Sequence, residues 1–473
     1  MSQRIIYKEI YGDNERVNVF VSSKADDTSI RKVKSTINHK SLSGSTVILF
    51  LKEVFLPQGF PDSVHPDYIP YQIWDTVQAF ASTIMGTLTT HAIMQGVGVG
   101  ESTATPLAAA ITWILKDGTG MIGRIGFAWW IGTELDAQCK KWRLFADFLN
   151  DAAMGIELMI PYYSSYSTYV LCISMAMKAV VGVAGGATRA ALTQHQALQN
   201  NLADVSAKDG SQETFVNLIA SLIGIFILSN LPQDGQYVME LYLFLVAIHL
   251  YANYSAVKAL CLNSLNEDRL ALIIKRYLQT QNIPNSTEVN KQESVLLFQN
   301  PSKDNFGFHI KMGVSLENVI KKMISTSDMD ALVRRFRFEK YLLVMDIKQK
   351  TILISFAKGV NSFDILKAYF HASLCSLFTC MILKWPVDIF LKSHSCNPSY
   401  PLMRMYIFNK STTPKVTNKC ENPAFIIFNS NDFIFDEYNA FIAQLNKSEW
   451  ITNTNLLPVG AWRGYWSLVK ESN

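Results

Sequence analysis

Arg189, Thr193, Gln196, Asn200 and Asp204 are spaced 4, 3, 4 and 4 residues apart. On a single helix they share one face. That face carries a cation at one end, a carboxylate at the other and neutral hydrogen-bonding groups between. Its chemistry would be recognition of a small polar or anionic solute in an aqueous cavity. A solvated face of a cytosolic helix is the plainer reading. Lys208 extends the group, either neutralising Asp204 four residues earlier or snorkelling to an interface. Lys208-Asp209-Gly210-Ser211 reads as the start of a following helix, with Asp209 and Gln212 in a capping-box arrangement.

Glu157 is the only charge within Ala152–Met177. An ionisable residue in an apolar span is a functional candidate by default, here with Lys178 or Arg189 as partner. Proton coupling is one role for it, and an interfacial position beside Pro161 is the duller one. A second polar cluster comprises Lys116, Asp117, Arg124, Glu134 and Asp136, continuing to Lys140, Arg143, Asp147 and Asp151. Asp136, Lys140, Arg143, Asp147 and Asp151 fall on one helical face with mixed sign, which reads as a salt-bridged interfacial helix.

Other chemistries find no motif. The glycine run Gly96–Gly100 lacks the third glycine of a dinucleotide loop, because Glu101 stands there. There is no P-loop, no G-x-S-x-G, no HExxH and no metal-spaced histidine cluster, and His195 alone sits in a polar setting. The expectation is a protein without catalysis, cofactor or metal. Seven cysteines without CxxC spacing fit a reducing compartment. A net charge of +4 with no basic block excludes nucleic acid as a partner.

These residues need a scaffold. Of 473 residues, 49% are hydrophobic and 17% charged, against about 25% charged in soluble domains. Mean hydropathy is +0.12. The apolar excess lies between about Ile73 and Leu262. Candidate helices there are Ile73–Gln95, Ala104–Leu115, Ile122–Gly132, Ala152–Met177, Phe215–Leu228 and Leu241–Val257. With interfacial ends the last pair approaches the roughly 20 residues a crossing needs. A buried hairpin in a soluble core is the alternative. The connection SNLPQDGQYVME carries Asp234 and Glu240 and no Lys or Arg, whereas Lys258, Arg269, Lys275 and Arg276 follow the pair. The positive-inside rule places that connection on the non-cytoplasmic face and the C-terminal region in the cytosol.

Residues 1–45 read as a polar arm with one or two strands in Tyr7–Val21 and a loop over Ser22–Ser45. Pro57, Pro61 and Pro66 suggest an extended lead-in segment. The helical membrane domain covers residues 46–280. Residues 285–473 read as a soluble α+β domain: a hairpin of Tyr341–Ile347 and Thr351–Ala357, a helix over Ser362–Leu383, a strand at Ala424–Phe428 and a helix at Phe435–Leu445. The fold class is mainly α, a multi-helix membrane domain followed by a C-terminal soluble α+β domain. Gly98–Thr112 and Gly182–Thr193 resemble each other, and their following Lys-Asp-Gly triplets lie 92 residues apart. Such repeated halves with small-residue breaks are a feature of transporters; coincidence in an Ala/Gly/Thr-rich chain is the alternative.

The segments FLPQGFPDSVHPDYIPYQIWD, GVGVG, LKDGTGMIGRIGFA, LDAQCKKWRLFAD and GVAGGATRAALTQHQALQNNLADVSAKDGSQET resemble the root UVB-sensitive (RUS) family, in order, over roughly residues 45–265. The C-terminal region is similar to the family's more variable tail. The resemblance implies membrane association, with the lipid bilayer as partner. It also raises the expectation of a homo- or hetero-oligomer with a RUS-family relative. Plant relatives are linked to seedling development, ultraviolet-B responses, auxin distribution and pyridoxal-phosphate homeostasis. It carries over no catalytic residues. The N-terminus mixes both charge signs and reads as neither signal nor transit peptide, so plastid roles are not expected. The leading expectation is a multi-pass membrane protein that binds or transports a small polar solute. The alternative is a membrane-anchored scaffold or adaptor.

Overall fold

The computed structural model describes residues 4–11, 16–22, 30–37, 44–96, 106–132, 134–232, 237–320, 326–391, 397–412 and 423–466. The chain is mostly helical with two small sheets. It folds as two compact units, 1–88 with 192–249 and 89–191 with 250–473.

The first unit opens with an antiparallel meander of β1 (Arg4–Tyr11), β2 (Arg16–Ser22) and β3 (Ile30–Ile37). Part of the expected Ser22–Ser45 loop is therefore strand, carried by the Ile30–Ile37 run of β-branched residues. Helix α1 (Gly44–Phe55) leads into a turn-rich segment, Pro57–Asp67, and then α2 (Tyr68–Gly96). Pro70 sits in the first turn of α2, where its missing N–H costs nothing. The unit also holds most of α6 and α7 (Leu202–Asn230 and Val238–Ala259) and the end of α5 (Ser167–Gln196). Gly224 on α6 lets Thr87 of α2 approach so closely that a Cβ there would lie 2.9 Å from Thr87 Oγ1.

The second unit contains α3 (Pro106–Ile131) and α4 (Cys139–Leu158), followed by a short 3-10 turn, Ile160–Tyr166, and the start of α5. Two expected spans, Ala104–Leu115 and Ile122–Gly132, are one helix here. Two glycines of this helix, Gly120 and Gly123, serve as packing points. A Cβ on Gly120 would meet Met175 Cγ at 2.8 Å, and one on Gly123 would meet Ala179 at 3.1 Å. That close α3–α5 contact offsets the roughly 1 kcal/mol helix cost of each glycine. Conversely, Ala152–Met177 is not one span, because the chain turns at Met159–Tyr166 around Pro161. Gly182–Thr193 lies inside continuous α5, so the second copy of the suspected repeat contains no break. The first copy's residues 98–105, and most of the Gly96–Gly100 run, lie outside the described residues.

Beyond α7 come α8 (Glu267–Thr280), α9 (Ser286–Gln292), α10 (Pro301–Phe306), β4 (His309–Met312), α11 (Leu316–Ile320), α12 (Thr326–Arg335), β5 (Tyr341–Asp346) and β6 (Thr351–Ala357). They are followed by α13 (Ser362–Ile382), α14 (Asp388–Leu391), α15 (Pro401–Thr412), α16 (Pro423–Leu445) and β7 (Arg463–Gly464). The expected hairpin is present as antiparallel β5–β6, with Tyr341 opposite Phe356. β4 and β7 pair in parallel with successive parts of β6. The expected strand Ala424–Phe428 is instead the start of α16, a single helix that runs on through the polar Asn429–Asp432 stretch into the expected helix Phe435–Leu445. Helix α13, started by an Asn361–Asp364 capping box, is buried along most of its length. It shares a core with α8, whose Leu270, Ile274, Tyr277 and Leu278 are all buried in it.

Candidate functional site

The polar stripe read from the sequence is not one helical face. Helix α5 ends at Gln196 and α6 begins at Leu202. Between them Ala197 forms an antiparallel bridge with Val64. His65 N–H donates to Gln196 O at 2.9 Å and Leu198 N–H to Ser63 O at 3.2 Å. Asn200, exposed, takes a left-handed conformation at φ 54°, which Asn tolerates better than most residues. No Gly or Pro marks this corner. What holds it is the pairing with the Pro57–Asp67 segment, an interaction between residues about 130 apart in sequence.

The first turns of α6 then clamp the same segment. Asp204 Oδ2 accepts from Gln58 N–H at 2.7 Å. Lys208 Nζ donates to Glu53 O, and Gln212 Nε2 donates to Phe55 O and to the Tyr68 hydroxyl. Asp209 is buried and accepts from Gln72 Nε2 at 2.9 Å. The helix starts one and a half turns earlier than Lys208–Ser211, so Asp209 and Gln212 are not a capping box. Asn201 precedes the helix and donates to Ser63 O. Val64, Tyr68 and Val205 form the small apolar core beneath.

At the centre lie three residues that the sequence reading did not bring together. His65 Nδ1 is 2.9 Å from Asp67 Oδ1, and His195 Nε2 is 2.9 Å from Asp67 Oδ2. Their rings are 4.3 Å apart. Asp67 is buried, His195 nearly so, and His65 keeps a 24% exposed side chain that opens the cluster to solvent. One carboxylate between two imidazoles can pass a proton or share a cation. From here a polar seam continues along α2. Gln78 pairs with buried His249 of α7 at 2.8 Å, and Thr83 donates to Asn217 of α6 at 2.7 Å.

Of the predicted residues, Thr193, Gln196, Asn200, Asp204 and Lys208 fall in this unit. Thr193 and Gln196 are buried in the last turn of α5, and Gln196 Nε2 has no hydrogen-bond partner among the described residues. Arg189 and Glu157 belong to the other unit. Glu157 is buried there and bound by Lys178 at 2.6 Å and by the Ser174 hydroxyl. Lys178, one of the two partners expected from the sequence, is the one it takes.

The second polar cluster, read as a salt-bridged interfacial helix, has its ion pairs buried where α4 begins. Asp136 precedes α4. Lys140 and Lys141 are buried: Lys140 lies 3.0 Å from Glu293 and 2.5 Å from Asn290 Oδ1, and Lys141 lies 2.7 Å from Asp268. Arg269, 1% exposed, donates to Glu293 at 3.1 Å. Burial alone would raise the Glu293 carboxyl, but Arg269 and Lys140 outweigh it and hold it down to about 2. Next to this network a cavity of about 400 Å³ is lined by Glu134, Asp136, Glu267, Asp268 and the backbone of Leu456–Gly460. Burial pushes Glu267 up to about 7.

Residues 42–281 match the family model described as the vitamin B6 photo-protection and homoeostasis domain. Residues 282–466 match that of the root UVB sensitive protein C-terminal region. RUS family member 1 of Dictyostelium discoideum is 47% identical over 275 residues, 57% of this chain and 51% of that protein. Protein root UVB sensitive 3 of Arabidopsis thaliana is 36% identical over 325 residues, 68% of this chain and 73% of that protein. Protein root UVB sensitive 5 of the same plant is 29% identical over 389 residues, 78% and 75% of the two chains. The chain thus matches about half the length of the Dictyostelium relative. No solved structure matches it.

Proposed function

The chain belongs to the root UVB-sensitive family, and we propose that it is an integral membrane protein that binds and moves a small polar solute of the vitamin B6 class, without catalysis. The observation that carries this reading is the two-part character of α6. Its first turns are polar and bound to the Pro57–Asp67 segment. From Phe215 onward Leu218, Leu222, Ile225 and Phe226 are exposed. The helix has a window of mean hydropathy 1.5 of which only 11% is buried. The window spanning α5 is as apolar, at 1.8 with 22% buried. By contrast α13, equally long and apolar enough, is 78% buried and is a protein core helix.

Exposed apolar surface on this scale needs lipid to cover it. Leu107, Ile111, Ile114, Ile122 and Ile125 on α3, with Trp129 and Trp130 near its end, repeat the pattern. Tryptophans at a helix end suit the membrane interface. The Gln78–His249 pair of α2 and α7 and the Thr83–Asn217 pair of α2 and α6 lie alongside, and polar groups at membrane depth mark a solute path. The acidic α6–α7 connection suits the non-cytoplasmic face. Lys258, Lys275 and Arg276 suit a cytosolic side for the region that follows; Arg269, buried in an ion pair, does not count toward that balance. The B6 class comes from the description of the matching family model. Its phosphorylated members are anions that the buried amide and imidazoles around Gln196 could recognise by hydrogen bonding.

Alkaline carbonate extraction of membranes tests insertion. Retention in the pellet is expected; release to the supernatant refutes the reading. Retention without saturable B6 binding by the purified protein leaves a membrane-anchored adaptor instead.

A further inference from the structure

We infer that His65, Asp67 and His195 form a binding site for a divalent transition-metal ion. The inference goes beyond the solute reading and is measured without any solute. Each carboxylate oxygen of Asp67 faces a different imidazole nitrogen at 2.9 Å, and the three donor groups lie within 4.8 Å of one another. The backbone N–H of Asp67 points at His65 Nδ1 at 3.4 Å. An N–H aimed at Nδ1 suits the unprotonated nitrogen that binds a metal, with the ring proton on Nε2.

Two histidines and one carboxylate leave coordination positions open, which suits Mn, Fe, Co, Ni or a catalytic-type Zn rather than a structural staple.

The donors are held on rigid backbone. His65 and His195 stand on either side of the Val64–Ala197 bridge, tied by the His65 N–H to Gln196 O hydrogen bond. Tyr68 N–H closes on His65 O at 2.9 Å. Ser63, two residues before His65, is fully buried and its hydroxyl has no hydrogen-bond partner among the described residues. It is a polar group of the kind that a metal-bound water satisfies.

The test uses full-length protein purified in detergent, stripped with a chelator, and titrated with Co2+ alone. Its visible absorption reports ligand field and stoichiometry, and elemental analysis after desalting gives the metal count independently. Wild type is expected to take up one Co2+ per chain with the weak absorption of five- or six-coordinate cobalt. His65→Gln and Asp67→Asn are each expected to weaken binding at least 30-fold while eluting as monodisperse protein. His249→Gln, which alters the seam histidine, should keep the full equivalent. Failure of monodisperse wild type to take up cobalt overturns the site. So does an undiminished equivalent in the His65→Gln/His195→Gln double variant. Either result leaves the cluster as a hydrogen-bonded relay.

Discussion

Glu293→Gln should be the most destabilising single change in the second unit. The variant keeps shape and volume but leaves Lys140 and Arg269, 2% and 1% exposed, without their shared counter-charge. The magnitude follows from the carboxyl itself. Its folded value is about 2 against an ordinary 4.5, a difference of about 2.5, which at 1.36 kcal/mol per unit is about 3 kcal/mol. Breaking a buried ion pair by deleting one partner independently predicts about 3–5 kcal/mol. For a unit this large, each kcal/mol moves the midpoint by roughly 2–4 °C, so a fall of about 6–12 °C is expected. Because the folded value is depressed, the contribution is present above 4.5 and lost only as pH falls toward 2. The gap between wild type and variant should therefore be flat from pH 6 to 8. Tryptophan-fluorescence melts of the purified full chain measure it, since Trp142 and Trp450 are buried in this unit. A fall below about 2 °C, or one matched by Glu288→Gln on the exposed side of α9, refutes the reasoning.

Glu267 should behave with the opposite sign. Its carboxyl is raised to about 7 by burial, so its cost is absent below 4.5, grows as pH rises to 7 and is complete above it. Glu267→Gln should gain up to about 3 kcal/mol at pH 8 and nothing at pH 4.5 in the same melts. Gly224→Val should destabilise by about 1–3 kcal/mol through contact with Thr87, with Thr87→Ala recovering part of the loss in yield and midpoint. Lys208→Met and Gln212→Leu each remove a bond to the chain just before the Pro57–Asp67 segment. Each should cost about 1 kcal/mol and raise chymotryptic cleavage at Phe60 about fivefold.

The local parts of this fold were legible in sequence. Two short apolar runs, Tyr341–Ile347 and Thr351–Ala357, on either side of the polar Lys348–Lys350 turn specify the β5–β6 hairpin. The Asn361–Asp364 box marks the start of α13. What was not legible depends on tertiary contact. The 3.6-residue period places Arg189 to Asp204 on one face but cannot see that Ala197 pairs with Val64 and bends the chain. The glycines of α3 look like breaks until Met175 and Ala179 are packed on them. His195 lies 128 residues from Asp67, and Glu293 more than 150 from Lys140, so no spacing rule joins either set. The expected solute residues Asp204 and Lys208 sit where predicted in the chain, yet they bind backbone. Gln196, buried with a free amide nitrogen, is the one best placed for a ligand.

That residue gives the most direct test of the account. Reconstituted into liposomes, the protein should take up a labelled B6 vitamer saturably above empty vesicles. Gln196→Leu removes an amide whose Nε2 has no partner among the described residues, so it should leave the melting midpoint unchanged or slightly raised while uptake falls at least tenfold. Uptake equal to empty vesicles, or uptake undiminished in the variant, would contradict a solute site at the α5–α6 corner.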